Sequence, residues 1–150
     1  MTTLLRLLQR LDALQWLPVF LARVSVGVLF LESGRGKLFY KLNELKEYFA
    51  QLGIPFANLQ APIVASIEFL GGICLILGFA TRLISAPLAV IMAVAILTAQ
   101  LDKTKSVGDF LYLPEVLLIV IFIWLIFSGP GKFAIDNPIA RKFRNEAEKL

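Results

Sequence analysis

The chain has 150 residues, of which 58% are hydrophobic, and its mean hydropathy is +0.78. Four apolar runs, each about 20 residues long as a bilayer-crossing helix requires, occupy so much of it that a separate soluble catalytic domain is excluded. The net charge of +4 does not indicate a nucleic-acid partner, because the cations flank the apolar runs, where they act as topology determinants and contact lipid headgroups.

Cysteine and histidine usage limits the chemistry further. The sequence has no histidine, the usual protein ligand of haem, zinc and copper within helical bundles. Its single cysteine, Cys74, lies in an apolar run and is expected to be inert. Because there is only one cysteine, an intrachain disulfide is excluded. We therefore expect no metal site and no intrinsic cofactor.

The first elements in chain order are an N-terminal segment, a membrane span and an amphipathic helix. Leucines on one helical face of residues 1–16 indicate a segment lying in the membrane interface. The first span covers approximately residues 17–36 and contains Arg23 and Glu32. In residues 37–52, apolar residues recur at helical spacing on one face and charged residues lie on the opposite face. This pattern predicts an amphipathic helix that lies flat on the membrane and covers the bundle.

Three more spans follow, at approximately residues 61–80, 83–101 and 110–129, and a basic tail begins at Lys132. The pattern predicts one all-α domain, a four-transmembrane-helix bundle with an amphipathic interfacial helix between the first and second helices. Lys and Arg number eight on the side of the termini and six on the other side. This excess predicts that both termini lie in the cytoplasm, and we expect the membrane to be the inner membrane of a bacterium.

Polar side chains inside the apolar runs share helical faces with small residues. An ionisable group in hydrocarbon costs roughly 3 kcal/mol, so such groups face a bundle interior and often mark a site. We expect one cluster, in which the acids meet Arg23, Arg35 or Lys37. The candidates for ligand binding or proton relay are Arg23, Glu32, Lys37, Glu68, Gln100, Tyr112 and Glu115. These charges either fix helix register or line a polar pocket, which the surplus of acids favours.

The ordered motifs of the chain resemble those of the DoxX/DoxD family of small four-helix membrane proteins. They are R-x3-G-x2-F-x3-G-x2-K-L from Arg23 to Leu38, G-I-P from Gly53 to Pro55, E-x2-G-G-x2-L-x2-G-x2-T-R from Glu68 to Arg82, and G-P-G followed by Asp136. The family is named for a subunit of a membrane thiosulfate:quinone oxidoreductase. The resemblance implies a redox-associated membrane subunit that is not catalytic alone and receives electrons from a soluble or membrane partner.

Two classes of function fit these observations. In the first, the polar seam binds a quinone or a similar apolar ligand, whose carbonyls receive hydrogen bonds from Arg23, Lys37, Gln100 or Tyr112, while buried carboxylates exchange protons. In the second, the chain is a non-enzymatic assembly factor, lipid-binding protein or small transporter. A third arrangement is a homodimer that uses the glycine stripes as its interface and leaves no pocket in the monomer.

Overall fold

The computed structural model describes residues 14–101, 104–131 and 134–136, and in these ranges the chain is helical without strands. The α-helices are α1 (Trp16–Arg35), α2 (Leu42–Gln51), α3 (Ala57–Leu77), α4 (Thr81–Ala95), α5 (Val107–Leu111) and α6 (Pro114–Ser128). One π-helical segment, Gly36–Tyr40, continues α1, and another, Ile96–Gln100, continues α4. The all-α class is confirmed. The interfacial segment predicted before residue 14 and most of the basic tail lie outside the described residues.

Three helices are long and apolar enough to cross a membrane. They comprise residues 16–40, 57–77 and 81–100, so α1 and α4 reach this length together with their π-helical segments. Helix α6 is also apolar but has 15 residues, or about 22 Å at 1.5 Å per residue. Together these helices fit a helical membrane bundle.

The long helix of the fourth apolar run starts later in the sequence than predicted. We expected this span from residue 110, whereas α6 starts at Pro114 after the extended residue Leu113. The preceding residues form the short helix α5, which begins with a capping box between Ser106 and Asp109. The amphipathic helix is likewise shorter than predicted, because residues 36–40 continue α1 and α2 begins at Leu42.

Helices α1 and α3 pack antiparallel with their backbones in close contact. A Cβ atom added to Gly34 would collide with the backbone of Phe69, and one added to Gly72 would collide with the backbone of Leu31. Small residues allow such close approach in membranes, where helix association depends on packing rather than on the hydrophobic effect. The glycine stripes of α1 and α3 thus pack against each other within one chain and need no second copy to cover them.

The apolar core is a layer contributed by α1, α3, α4 and α6. It consists of Val26, Phe30, Leu75, Leu88, Met92, Phe122 and Leu125. At its centre the rings of Phe30 and Phe122 meet edge to face, with their centroids 5.2 Å apart. Along α1 and α3 the layer separates two groups of polar residues, one around Arg23 and one around Glu68.

Candidate functional site

A cavity of about 410 Å³ lies where α2 covers the sides of α3 and α4. Most of its walls are apolar, with aromatic and aliphatic side chains from α2 on one side and valine, methionine and alanine side chains from α4 on another. Its lining residues with polar side-chain atoms are Lys37, Tyr48, Gln60, Glu68, Thr98, Gln100 and Glu115. The cavity therefore combines apolar walls with a small number of polar groups, as ligand sites usually do.

An ion pair between α3 and the end of α1 forms one polar wall of this cavity. The Lys37 Nζ atom donates to both carboxylate oxygens of Glu68 at 2.7 Å, and the Ser33 hydroxyl donates to the same carboxylate at 3.0 Å. Glu68 is 1% exposed, whereas 35% of the Lys37 side chain is exposed. The carboxylate is thus neutralised and held in place by three donated hydrogen bonds.

A second polar wall joins the end of α4 to the start of α6. The Gln100 Nε2 atom donates to Glu115 Oε1 over a long distance of 3.4 Å. The other carboxylate oxygen of Glu115 is buried and has no hydrogen-bond partner among the described residues. This oxygen is shielded from a water-sized probe, so it is an uncompensated acceptor within the packing of the wall.

Both π-helical segments contribute a polar residue to the cavity. Lys37 belongs to Gly36–Tyr40 and Gln100 belongs to Ile96–Gln100. A π-helical turn contains one residue more than an α-helical turn and redirects the side chains that follow, which explains why such turns are frequent at functional sites. The sequence analysis assumed α-helical spacing throughout and did not foresee either segment.

Arg23 lies at the other end of the bundle, so the prediction that it joins the cluster around Glu68 is wrong. It is 1% exposed and packs against the backbone at Gly78, about 15 Å along α3 from Glu68. Its guanidinium lies 5.7 Å from the ring centroid of Phe20 and interacts electrostatically with Asp136. The expectation failed because the antiparallel register of α1 and α3 places Arg23 beside the turn into α4.

Asp136 was recognised in the sequence only as part of a motif. Its carboxylate accepts hydrogen bonds from the backbone N–H groups of Ala80 at 2.7 Å and Thr81 at 3.2 Å. It therefore caps the start of α4, and its negative charge also acts on Arg23 through space. The opposite charges of the two residues fit this attraction, but 112 residues separate them in the sequence, and no sequence pattern indicates that they lie at the same end of the bundle.

Two other candidates lie outside the cavity. Glu32 forms an ion pair with Arg35 at 2.7 Å on the outer face of α1, where their side chains are 56% and 53% exposed. Tyr112 lies between α5 and α6 and is 90% exposed. Of the residues predicted to form one cluster, Lys37, Glu68, Gln100 and Glu115 line the cavity. Sequence reasoning missed Ser33, although its position one residue before Gly34 places it near the α1–α3 contact.

The DoxX family model matches residues 19–101, more than half of the chain. The chain belongs to the DoxX family. Within this family it is similar to an uncharacterized membrane protein of Mycobacterium tuberculosis, with 27% identity over 83% of this chain and 82% of that protein. It is also similar to the inner membrane protein YqjF of Escherichia coli, with 25% identity over 83% of this chain and 94% of YqjF.

A third relative of this DoxX chain is the Bacillus subtilis protein named "Putative oxidoreductase CatD". The two are 30% identical over 83% of this chain and 89% of that protein. No solved structure matches the chain. The DoxX match contains the Lys37–Glu68 pair and Gln100, whereas Glu115 and Asp136 follow the matched residues. The cavity of this DoxX protein is therefore completed by a helix beyond the family match.

Proposed function

We propose that this DoxX protein is an inner-membrane subunit associated with redox metabolism and that it binds a quinone, or an apolar ligand of similar shape, in the cavity beneath α2. The observation that carries this proposal is the cavity of about 410 Å³ with apolar walls and two polar walls formed by Lys37–Glu68 and Gln100–Glu115. Its volume lies in the range of known small-molecule sites, roughly 300 to 1,000 Å³.

The walls of the cavity also support entry of the ligand from the lipid. Val90 and Val94 line the cavity and are 60% and 43% exposed on the outer side of α4. In a bilayer this side of α4 contacts acyl chains, because its surface is apolar. A ligand dissolved in the membrane can enter there with its apolar tail still in lipid and place its polar head between the two polar walls.

Electron transfer requires a partner in this proposal. The polar groups of the cavity are an amine, amides, carboxylates and hydroxyls, which bind ligands and carry protons but do not form a redox centre. A soluble or membrane redox partner would supply or remove the electrons, in keeping with the name of the Bacillus subtilis relative. In this arrangement α6 is the fourth bilayer-crossing helix, and both termini lie in the cytoplasm.

Extraction of bound molecules tests the proposal. We would purify the wild type and the variants Glu68→Gln and Ala95→Trp from native membranes in mild detergent and identify co-purified lipids and quinones by mass spectrometry. Ala95 lines the cavity, so the tryptophan fills it. Ala86→Trp is the matched control, because Ala86 is an exposed residue of α4 that does not line the cavity.

The expected result is one quinone per chain in the wild type and in Ala86→Trp, and its loss in Ala95→Trp. Glu68→Gln weakens binding by disturbing the position of Lys37. A phospholipid in place of the quinone would support the non-enzymatic lipid-binding alternative. A wild-type protein that is folded and empty would instead make the charge pairs structural and would overturn the proposal.

A further inference from the structure

We propose that α2 is a gate, which moves away from α4 to admit the ligand and closes over the ligand once it is bound. This inference rests on the proposed function and deepens it, because it states how the cavity exchanges its ligand with the membrane. The gate opens at the seam between α2 and α4, where Val90 and Val94 line the cavity and are exposed.

The first observation is that α2 has no polar side-chain link to the rest of the described chain. Other walls of the cavity are linked in this way, since Lys37 and Glu68 join the end of α1 to α3 and Gln100 and Glu115 join the end of α4 to α6. Among the described residues, no side chain of residues 42–51 forms a hydrogen bond, an ion pair or a ring contact. This holds even for Tyr48, which lines the cavity.

The second observation is that α2 contributes nothing to the buried core. None of its 10 residues is buried, whereas α1, α3 and α4 each bury at least four. Its apolar residues Leu45 and Phe49 are half-buried and line the cavity, so part of the space beneath them is empty. An element with few buried apolar contacts opens locally at a lower cost in free energy than a core helix does.

The third observation is that α2 lies between two short non-helical joints. Before it, Lys41 departs from helical geometry with φ −127° and ψ 26°. After it, Gly53 (φ 72°) and Phe56 (φ 53°) have left-handed backbone conformations. The Gln60 amide donates to the Pro55 carbonyl at 2.7 Å and attaches this second joint to the first turn of α3. Because hinges are a few residues at element ends that absorb changes of φ and ψ, α2 can move as one rigid helix.

A ligand in the cavity would shift this motion toward the closed position. The ring of a quinone fills the space beneath Leu45 and Phe49 and gives their side chains atoms to contact. Those contacts exist in the closed position and are lost in the open one. The ligand therefore binds the closed position more tightly, and this difference in affinity is what moves the equilibrium.

Distances between spin labels test the motion. In a Cys74→Ser background, Glu47→Cys with Leu117→Cys places one label on α2 and one on α6, and Leu29→Cys with Leu117→Cys is the control pair on α1 and α6. All three labelled positions are exposed. Distance distributions would be measured by double electron–electron resonance with the full chain in lipid nanodiscs. The probe is a decyl-substituted benzoquinone that has no ring hydrogen and so does not add to thiols.

Without the probe, we expect the α2–α6 distance distribution to be at least twice as wide as the α1–α6 distribution. A saturating concentration of the probe should narrow it to the width of the control. An α2–α6 distribution as narrow as the control in the absence of the probe would overturn the inference. A wide distribution that the bound probe leaves unchanged would also overturn it.

Cross-linking tests whether ligand exchange requires the motion. In the Cys74→Ser background, Leu45→Cys with Val94→Cys joins α2 to α4, and Val64→Cys with Val94→Cys is the matched control, because it joins α3 to α4 and leaves α2 free. All three positions line the cavity. Each variant would be loaded with the tritiated probe and joined with a bifunctional maleimide. We expect the α2–α4 link to slow release of the probe at least 10-fold and the α3–α4 link to slow it less than 3-fold. Equal slowing by the two links would contradict the gate.

The outcomes separate the inference from the proposed function. Ala95→Trp, in which the cavity is filled, gives the binding that does not depend on the cavity. If the wild type binds the probe in the cavity while α2 is as fixed as the control helices, the inference is overturned and the proposed function stands. If no binding depends on the cavity, the proposed function fails and the inference fails with it.

Discussion

The buried charges of this protein differ in how they are compensated. Glu68 receives three hydrogen bonds from Lys37 and Ser33, whereas Glu115 retains a buried oxygen without a partner in the described part of the chain. A buried charge that loses its partner destabilises a protein far more than the pair stabilises it. The two acids are therefore held differently, with Glu68 fixed by its donors in the cavity wall and Glu115 compensated only in part.

Removing the cation alone should be more harmful than removing the whole ion pair. Lys37→Met leaves the Glu68 carboxylate buried with only the hydroxyl of Ser33, and we expect a loss of about 3 kcal/mol of unfolding free energy. The double variant Lys37→Met, Glu68→Met should lose less, because no charge is left behind. Denaturant unfolding in detergent measures both, with Lys41→Met at the exposed Lys41 as control. Additive losses would show that the two side chains are not coupled.

Arg23 and Arg35 should differ strongly when each is replaced by leucine. Arg23 is 1% exposed and attracts Asp136, which caps α4, so Arg23→Leu removes a fully buried side chain from the packing and this attraction with it. Arg35 pairs with Glu32 on an exposed face, where ion pairs contribute about 0 to 1 kcal/mol. We expect a larger fall in melting temperature for Arg23→Leu. Equal shifts for the two purified variants would contradict the compensating role of Arg23.

At the scale of elements, glycines and π-helical segments decide how the polar residues meet. Gly34 and Gly72 bring α1 and α3 into backbone contact, and this contact places Lys37 opposite Glu68. The π-helical segments then direct Lys37 and Gln100 to the cavity. Helix α2 covers the cavity with its apolar face, which the periodicity of its sequence predicted.

Gly34 of α1 and Gly36, which opens the π-helical segment after it, provide a matched test of this packing. A methyl group at Gly34 overlaps the backbone of Phe69, whereas one at Gly36 meets nothing within 4 Å. Gly34→Ala should lower the unfolding free energy by about 2 kcal/mol or more, because backbone cannot move aside as a side chain can. Gly36→Ala should be neutral or slightly stabilising. Thermal unfolding in detergent distinguishes the two, and a tolerated Gly34→Ala would disprove the close approach.

At the scale of the whole molecule, the apolar layer around Phe30 and Phe122 divides the protein into two ends. One end holds Arg23, Asp136 and the turn between α3 and α4, and it is a structural junction. The other end holds the cavity, α2 and the two π-helical segments. The proposed ligand site and the junction of α3 with α4 therefore lie on opposite sides of one core.

The distribution of Lys and Arg between the two ends predicts the orientation of the chain in the membrane. In a Cys74→Ser background, single cysteines at Leu14, Ile135 and Glu44, all exposed, would be tested with a membrane-impermeant maleimide in intact cells. We expect labelling at position 44 alone, because the cationic side of the bundle stays in the cytoplasm. Labelling at positions 14 and 135 without labelling at 44 would invert the topology. Labelling at only one of positions 14 and 135 would show that α6 does not cross the membrane.

Sequence by itself determined the helical membrane class, the position of the apolar helices and the amphipathic character of α2, since each follows from local hydrophobic periodicity and length. It also placed Lys37, Glu68, Gln100 and Glu115 among the polar residues that face the bundle interior, because charges in apolar runs have few alternatives to it.

Only the tertiary structure decided which of these residues meet. The register of α1 against α3 places Arg23 away from Glu68, and the break at Leu113 and Pro114 leaves Tyr112 outside the cavity. The fold also brings Asp136 to the end of the bundle where Arg23 lies. The physical reason is that pairing depends on interhelical register and on π-helical turns, which are set by backbone contacts between distant segments. The spacing of residues along one helix does not contain that information.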